Sequence, residues 1–244
     1  MPCALARSHG SSAPCADAIH VPLAHSVIGA LEYDPELRCH QTRHRMFLRD
    51  KARFRQVVPF GDSMVTKKVH QNFHIGFIKD VVLPRALDDN TFAAMNQLQF
   101  FNNVQIVSSL TNDTAFLTQL RDKLEVEPVL ELLEPLRLLQ ELCTIAKTLQ
   151  LYHRAAFYRK VVEYDYFAPL AAVLMRSEPV LRLVAIDVLL TSTLHDPSLL
   201  RTFVLRQRPD GPMLKGLLRV LTSETGSGEK PQVTAKCVCS CLLP

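Results

Sequence analysis

The sequence contains no tryptophan and only 8 glycines in 244 residues. So little glycine argues against an all-β sandwich, whose tight turns use it repeatedly. It argues equally against a phosphate-binding α/β enzyme, and neither G-x-G-x-x-G nor a Walker loop occurs. A G-x-S-x-G nucleophile elbow is missing, as is any local cysteine-nucleophile signature. There is no run of about 18 uninterrupted apolar residues, so no membrane-spanning helix is expected. Residues 1–26 have no sustained apolar stretch and only Arg7 among Lys and Arg. They predict neither a secretory leader nor a strong transit peptide.

What is present is ordinary for a soluble globular chain: 48% apolar and 21% charged residues. Of the 7 cysteines, Cys3, Cys15, Cys39 and Cys143 are scattered, and Cys237, Cys239 and Cys241 cluster. An odd count with wide scatter predicts reduced thiols in an intracellular setting. The net charge of +4 is unevenly placed. Residues 38–68 hold most of the surplus, and residues 122–141 run acidic.

Apolar residues recur with a period near 3.6 along most of the chain, and no alternating run bounded by turns predicts a strand pair. A basic helix is expected from Thr42 to Val58, ahead of Pro59. The next opens on Asp62 or Ser63 and buries Val65, Val69, Phe73, Phe77 and Val81, widened by Met64, Ile75, Ile78 and Val82. Pro84 should stop it. Residues 88–113 predict two helices with a break near "FFNN", and 113–124 a short one. A long leucine-rich helix follows Pro128, with Pro135 inside predicting a kink or a division. Four shorter helices run on to Gln207. The class is therefore all-α, an armadillo- or HEAT-like helical repeat. Residues 164–205 span about one repeat of roughly 40–47 residues. The helical domain is expected over 27–221, with 1–26 and 222–244 poorly packed.

Candidate chemistry is thin. His70 and His74 share a helix face, but Gln71 stands where a zinc-protease helix needs glutamate, and no third ligand is evident. His40 and His44 repeat the spacing, and surface or boundary histidines are the expectation. "CVCSC" at 237–241 lacks a partner pair and reads as tail thiols. Asp187 in an apolar helix should bond to Arg182 or to a neighbouring helix. Arg43, Arg45, Arg49, Lys51, Arg53 and Arg55 form a candidate partner-binding basic face over residues 43–55. A protein partner is one reading of it, and a helical-repeat nucleic-acid binder is the alternative. No catalytic set, cofactor or metal is expected. A metal-dependent enzyme through His70 and His74 is the weakest reading.

Certain segments carry a resemblance. "LEYDP", "RHRMFL", "FRQVVP", "VHQNF" leading into "FIKDVVLP", and "FFNNVQIVSSL" resemble the central domain of the protein phosphatase 4 regulatory subunit 3 family, also called SMEK, Falafel or Psy2. "LQELCTIAKTLQ", "RAAFYRKV", "LRLVAIDVLL" and "DPSLLRTFVL" continue the match, from about residue 27 to 207. The resemblance implies an armadillo-like fold and a non-catalytic subunit that joins the phosphatase 4 catalytic and scaffold subunits. It also implies a mainly nuclear place and roles in the DNA-damage response and in dephosphorylating chromatin or signalling proteins. Nothing here resembles the family's N-terminal EVH1-like substrate-reading domain. Residues 208–244 depart from the expected longer helical stretch, so the chain is expected to be a fragment.

Overall fold

The computed structural model describes residues 26, 28–30, 32, 44–50, 52, 54–82, 88–126, 128–207 and 211–223, with the backbone alone at 82 and 221–223. Helices account for nearly all regular structure, and no strand occurs among the described residues. The chain divides into two compact units, Met1–Leu110 and Thr111–Pro244.

In the first unit, α1 spans His44–Asp50 and α2 spans Ser63–Phe77. The Asp62 side chain caps α2 by accepting from Met64 N at 2.8 Å. At its far end α2 loosens into a π turn, Ile78–Val82. A π turn has more residues per turn than an α-helix, so the four-residue repeat of apolar side chains drifts off the buried face. Val65, Val69, Ile75, Phe77 and Ile78 are buried as expected. Val81 is 47% exposed and Met64 51% exposed, contrary to the repeat. Ile28, Leu48, Phe77 and Ile78 form a small core, with Ala52, Phe73 and Met95 against it.

α3 is one continuous helix, Asp89–Asn112, not two broken at "FFNN". The amides that suggested a break are turned to α2 instead of to their own backbone. Asn102 donates to Gln71 Oε1 (3.1 Å) and Asn72 Oδ1 (2.9 Å), and Asn72 donates to Asn103 Oδ1 (2.7 Å). Further bonds join Ser109 to Asp62 and Lys79 to Asn96 and Gln99. Pairs 62/109, 72/103 and 79/96 run in opposite order, so α2 and α3 are antiparallel. A lost helix break is thus replaced by an amide ladder between α2 and α3, in which Asn102 Oδ1 stays buried without a partner.

In the second unit, α4 (Thr114–Lys123) opens on the Asp113 cap, which accepts from Phe116 N. Then come α5 (Val129–Thr148), α6 (Leu151–Glu163) and α7 (Phe167–Leu174). They are followed by α8 (Pro179–His195), α9 (Pro197–Arg206) and α10 (Pro212–Ser223). α5 packs on α8, α7 packs on α10, and α8 also touches α7 and α9. Gln140 of α5 bonds Asp187 of α8, 47 residues further on. So α5–α6–α7 and α8–α9–α10 are two stacked three-helix repeats. Residues 164–205 do span one period, but they cut across the frame: α7 closes the first repeat and α8 opens the second.

Pro135 does not divide α5, although it removes one backbone bond. Leu132, Leu136, Leu139 and Leu142 are all within 4% of full burial. At about 1.5–3 kcal/mol each, their burial outweighs the roughly 3 kcal/mol proline penalty. At the α6–α7 corner Asp165 sits at φ 52, in the left-handed region. The corner is held by Tyr166, whose hydroxyl donates to Leu117 O at 2.8 Å.

Candidate functional site

The basic segment is not a single helical face. α1 stops at Asp50, and Ala52 N donates to Phe47 O at 3.0 Å, one residue further back than the α pattern. Described residues from 52 to 60 are not helical. Arg45 Nε binds Glu32 Oε2 at 2.7 Å. Burial works to raise the Glu32 carboxyl, and the hydrogen bonds and charge of Arg45 outweigh it, so its pKa is lowered. Arg49 forks onto Asp50, with Nε to Oδ1 at 2.7 Å and Nη2 to Oδ2 at 3.2 Å. Arg55 is exposed, and Arg43, Lys51 and Arg53 lie outside the described residues. Two of the six cations, Arg45 and Arg49, are therefore neutralised locally.

The histidine pair is a packing feature. His74 is 6% exposed, not at the surface or boundary as expected. Its Nδ1 donates to the His70 carbonyl oxygen at 2.7 Å, which satisfies it inside its own helix. His70 tilts against Phe54 with ring centroids 4.4 Å apart. Burial first, then the neighbouring His74, holds the His70 pKa below its ordinary value. Among the described residues no three His, Cys, Asp or Glu side chains are placed to hold a metal. His40 and the cysteines at 237, 239 and 241 lie outside the described residues.

Asp187 does bond to a neighbouring helix, where Gln140 Nε2 donates to its Oδ2 at 2.7 Å. It does not pair with Arg182. That arginine is itself buried and donates to Arg176 O (3.1 Å) and Ser177 O (3.2 Å), capping the carbonyl end of α7. Arg219 of α10 donates to Met175 O at 2.7 Å in the same turn. Next to Asp187 lies Cys143, fully buried, whose thiol burial pushes up to about 12. It is an inert core thiol at neutral pH.

Sequence reasoning missed the surface that remains. Leu130, Leu151, Tyr152, Leu194 and Leu205 are each at least 66% exposed on the repeats. In sequence they look like further core positions. They sit at helix ends, where the apolar period continues but no neighbouring helix covers it. Isolated exposed leucines are normal, but Leu151, Tyr152 and Leu194 lie where α6 begins and α8 finishes, and exposed apolar groups at one such end mark a contact surface. Among the described residues no single helix is long and apolar enough to cross a membrane.

Stacked three-helix repeats, with buried apolar cores and open apolar ends, make this an armadillo-like helical-repeat protein. The family model described as phosphatase 4 regulatory subunit 3 matches residues 20–239, and the chain belongs to that family. The match extends beyond residue 207, so the α10 stretch that looked divergent lies within the family region. "Suppressor of Mek1" of Dictyostelium discoideum is 36% identical over 211 residues, 85% of this chain and 20% of that protein. An uncharacterised protein of Schizosaccharomyces pombe is 28% identical over 222 residues, 85% of this chain and 27% of that protein. The chain thus spans about a fifth to about a quarter of the length of these relatives. No solved structure matches it.

Proposed function

We propose that this chain is a non-catalytic, protein-binding module of a serine/threonine phosphatase 4 complex. It contacts the catalytic and scaffold subunits and so contributes to the regulation of dephosphorylation. The observation that carries this reading is the family match through residues 20–239. The stacked repeats support it physically, because they place large apolar side chains at exposed helix ends, where a partner protein can cover them. We assign the module mainly to the nucleus, with a cytoplasmic share. Its substrates would be chromatin, signalling or DNA-damage-response proteins. The nucleic-acid alternative gains no support from Arg45 and Arg49, which are ion-paired.

Capture of purified phosphatase 4 catalytic and scaffold subunits by the tagged chain tests the proposal. Stoichiometric co-elution is expected. Failure to capture either subunit, even with natural flanking sequence restored, refutes it. Imaging of the tagged chain in cells checks the nuclear assignment, which an exclusively cytoplasmic signal would overturn.

A further inference from the structure

The end of the second unit where α5 finishes, α6 begins and α8 finishes combines a guanidinium and an imidazole, each with a buried unpartnered nitrogen, with exposed apolar groups. Arg154 lies in the first turn of α6, with Nη1 3.5 Å from Lys147 O, and its Nε is buried without an acceptor. His195, the last residue of α8, stacks on Tyr158 at 4.6 Å and 16° between planes. The His195 Nδ1 is also buried without a partner. Tyr158 is 1% exposed, and its hydroxyl lies beside Cys143 and Ser192 without a well-formed bond to either. Burial, then the Arg154 charge, holds His195 below its ordinary pKa, and Asp196 opposes them. The Asp196 carboxylate is already committed to Ser198 N at 2.9 Å. Lys147 adds a further exposed cation at the end of α5.

Apolar side chains flank this cluster. Leu151 is 66%, Tyr152 79% and Leu194 66% exposed. Leu151, Arg154 and Tyr158 follow one another at i, i+3 and i+7, so they share one face of α6. The Asp196 carboxylate acts on the His195 imidazole, but Arg154 and Lys147 outnumber that one acid, so the cluster keeps a net positive charge. Exposed leucines and a tyrosine beside them lack an apolar cover. A free inorganic anion would answer only the charge. Nucleic acid would bring more phosphate charge than Lys147 and Arg154 can match.

We infer that this end of α5, α6 and α8 is a docking site for an acidic, apolar segment of a partner protein. A partner Asp or Glu faces Arg154 and His195, and adjoining apolar residues cover Leu151, Tyr152 and Leu194. This deepens the phosphatase-module reading, since it relies on that reading for the partner's identity.

The test uses the full chain and a fluorescent eight-residue peptide of Glu and Leu, with a Gln-for-Glu peptide as control. Fluorescence anisotropy should show saturable binding of the Glu peptide, weakened by salt, and none of the control. Arg154→Gln and Tyr152→Ala should each weaken it at least about 10-fold, with unchanged circular-dichroism melting. The His195 ring, followed by NMR, should titrate at higher pH with peptide bound, since a carboxylate stabilises the charged imidazole. Equal binding of both peptides, equal affinity of both variants, or an unmoved His195 titration overturns the inference. So does a concentration-dependent dimer in sedimentation that Tyr152→Ala abolishes, which would make a second copy the occupant. If the peptide fails to bind while the chain still captures the phosphatase subunits, this inference alone falls. If the chain captures neither subunit, the functional reading falls.

Discussion

Gly216 sets the spacing between the two repeats, and replacing it with alanine tests the stacking directly. A β-carbon built at Gly216 lies 2.6 Å from Leu174 Cβ, 3.4 Å from Leu174 Cδ1 and 3.6 Å from its carbonyl carbon. Carbon atoms in ordinary contact sit about 3.5–4.0 Å apart. The closest neighbour is a β-carbon, so no rotamer change relieves it, and α10 must move about 1 Å from α7. Leu174, Met213 and Leu217 around it are all at 0% exposure, so the movement opens packed core. Overpacking of this kind costs about 1–3 kcal/mol, against about 1 kcal/mol gained from alanine's better helix propensity. The net expectation is destabilisation by up to about 2 kcal/mol, read as a lower urea midpoint by circular dichroism at unchanged slope. Leu218→Ala, at a 46% exposed position of the same helix, should stay within about 0.5 kcal/mol. If Gly216→Ala instead stabilises by the propensity gain, α7 and α10 do not approach as described.

Other perturbations have defined signs. Asp165→Gly should stabilise by about 0.5–1 kcal/mol in the same assay, because glycine adopts positive φ without strain. Tyr166→Phe removes the hydroxyl bond to the Leu117 carbonyl and should cost about 0.5–1.5 kcal/mol, while an unchanged midpoint would remove that bond from the account. His70 and His195 both have folded pKa values below the unfolded value near 6.5. The unfolded chain therefore binds more protons, and their contribution is complete above that value and falls as pH drops through it. Urea midpoints should decline from pH 7 to pH 5, and His70→Gln should flatten that slope. Cys143, with its thiol at about 12, should resist alkylation in the native protein and react only on unfolding, as peptide mapping by mass spectrometry would show.

Local chemistry explains what the sequence already disclosed. Asp62, Asp113 and Asp196 each accept a hydrogen bond from the first turn of a helix, as capping residues do, and Pro179 and Pro197 sit at first helical positions. The all-α class and the repeat length followed from apolar periodicity and helix length. The features that escaped were decided by partners distant in sequence. Asn102 looked like a helix breaker until Gln71 and Asn72 bound it. Pro135 looked disruptive until the leucines around it were buried. The cationic run from 43 to 55 looked like one helix, but α1 closes at Asp50 and Glu32 captures Arg45. Asp187 had a helical neighbour in Arg182 by sequence, yet Gln140 of the adjacent repeat reaches it instead. The docking cluster was invisible for the same reason: Arg154 and His195 meet only because α6 and α8 converge on Tyr158.

The central claim, that these repeats are a phosphatase-binding module, is tested most directly by the stoichiometry of association in solution. Purified chain, mixed with phosphatase 4 catalytic and scaffold subunits, should elute from size-exclusion chromatography as one complex with equimolar subunits. A folded chain, verified by its helical circular-dichroism spectrum, that elutes apart from both subunits would contradict the account.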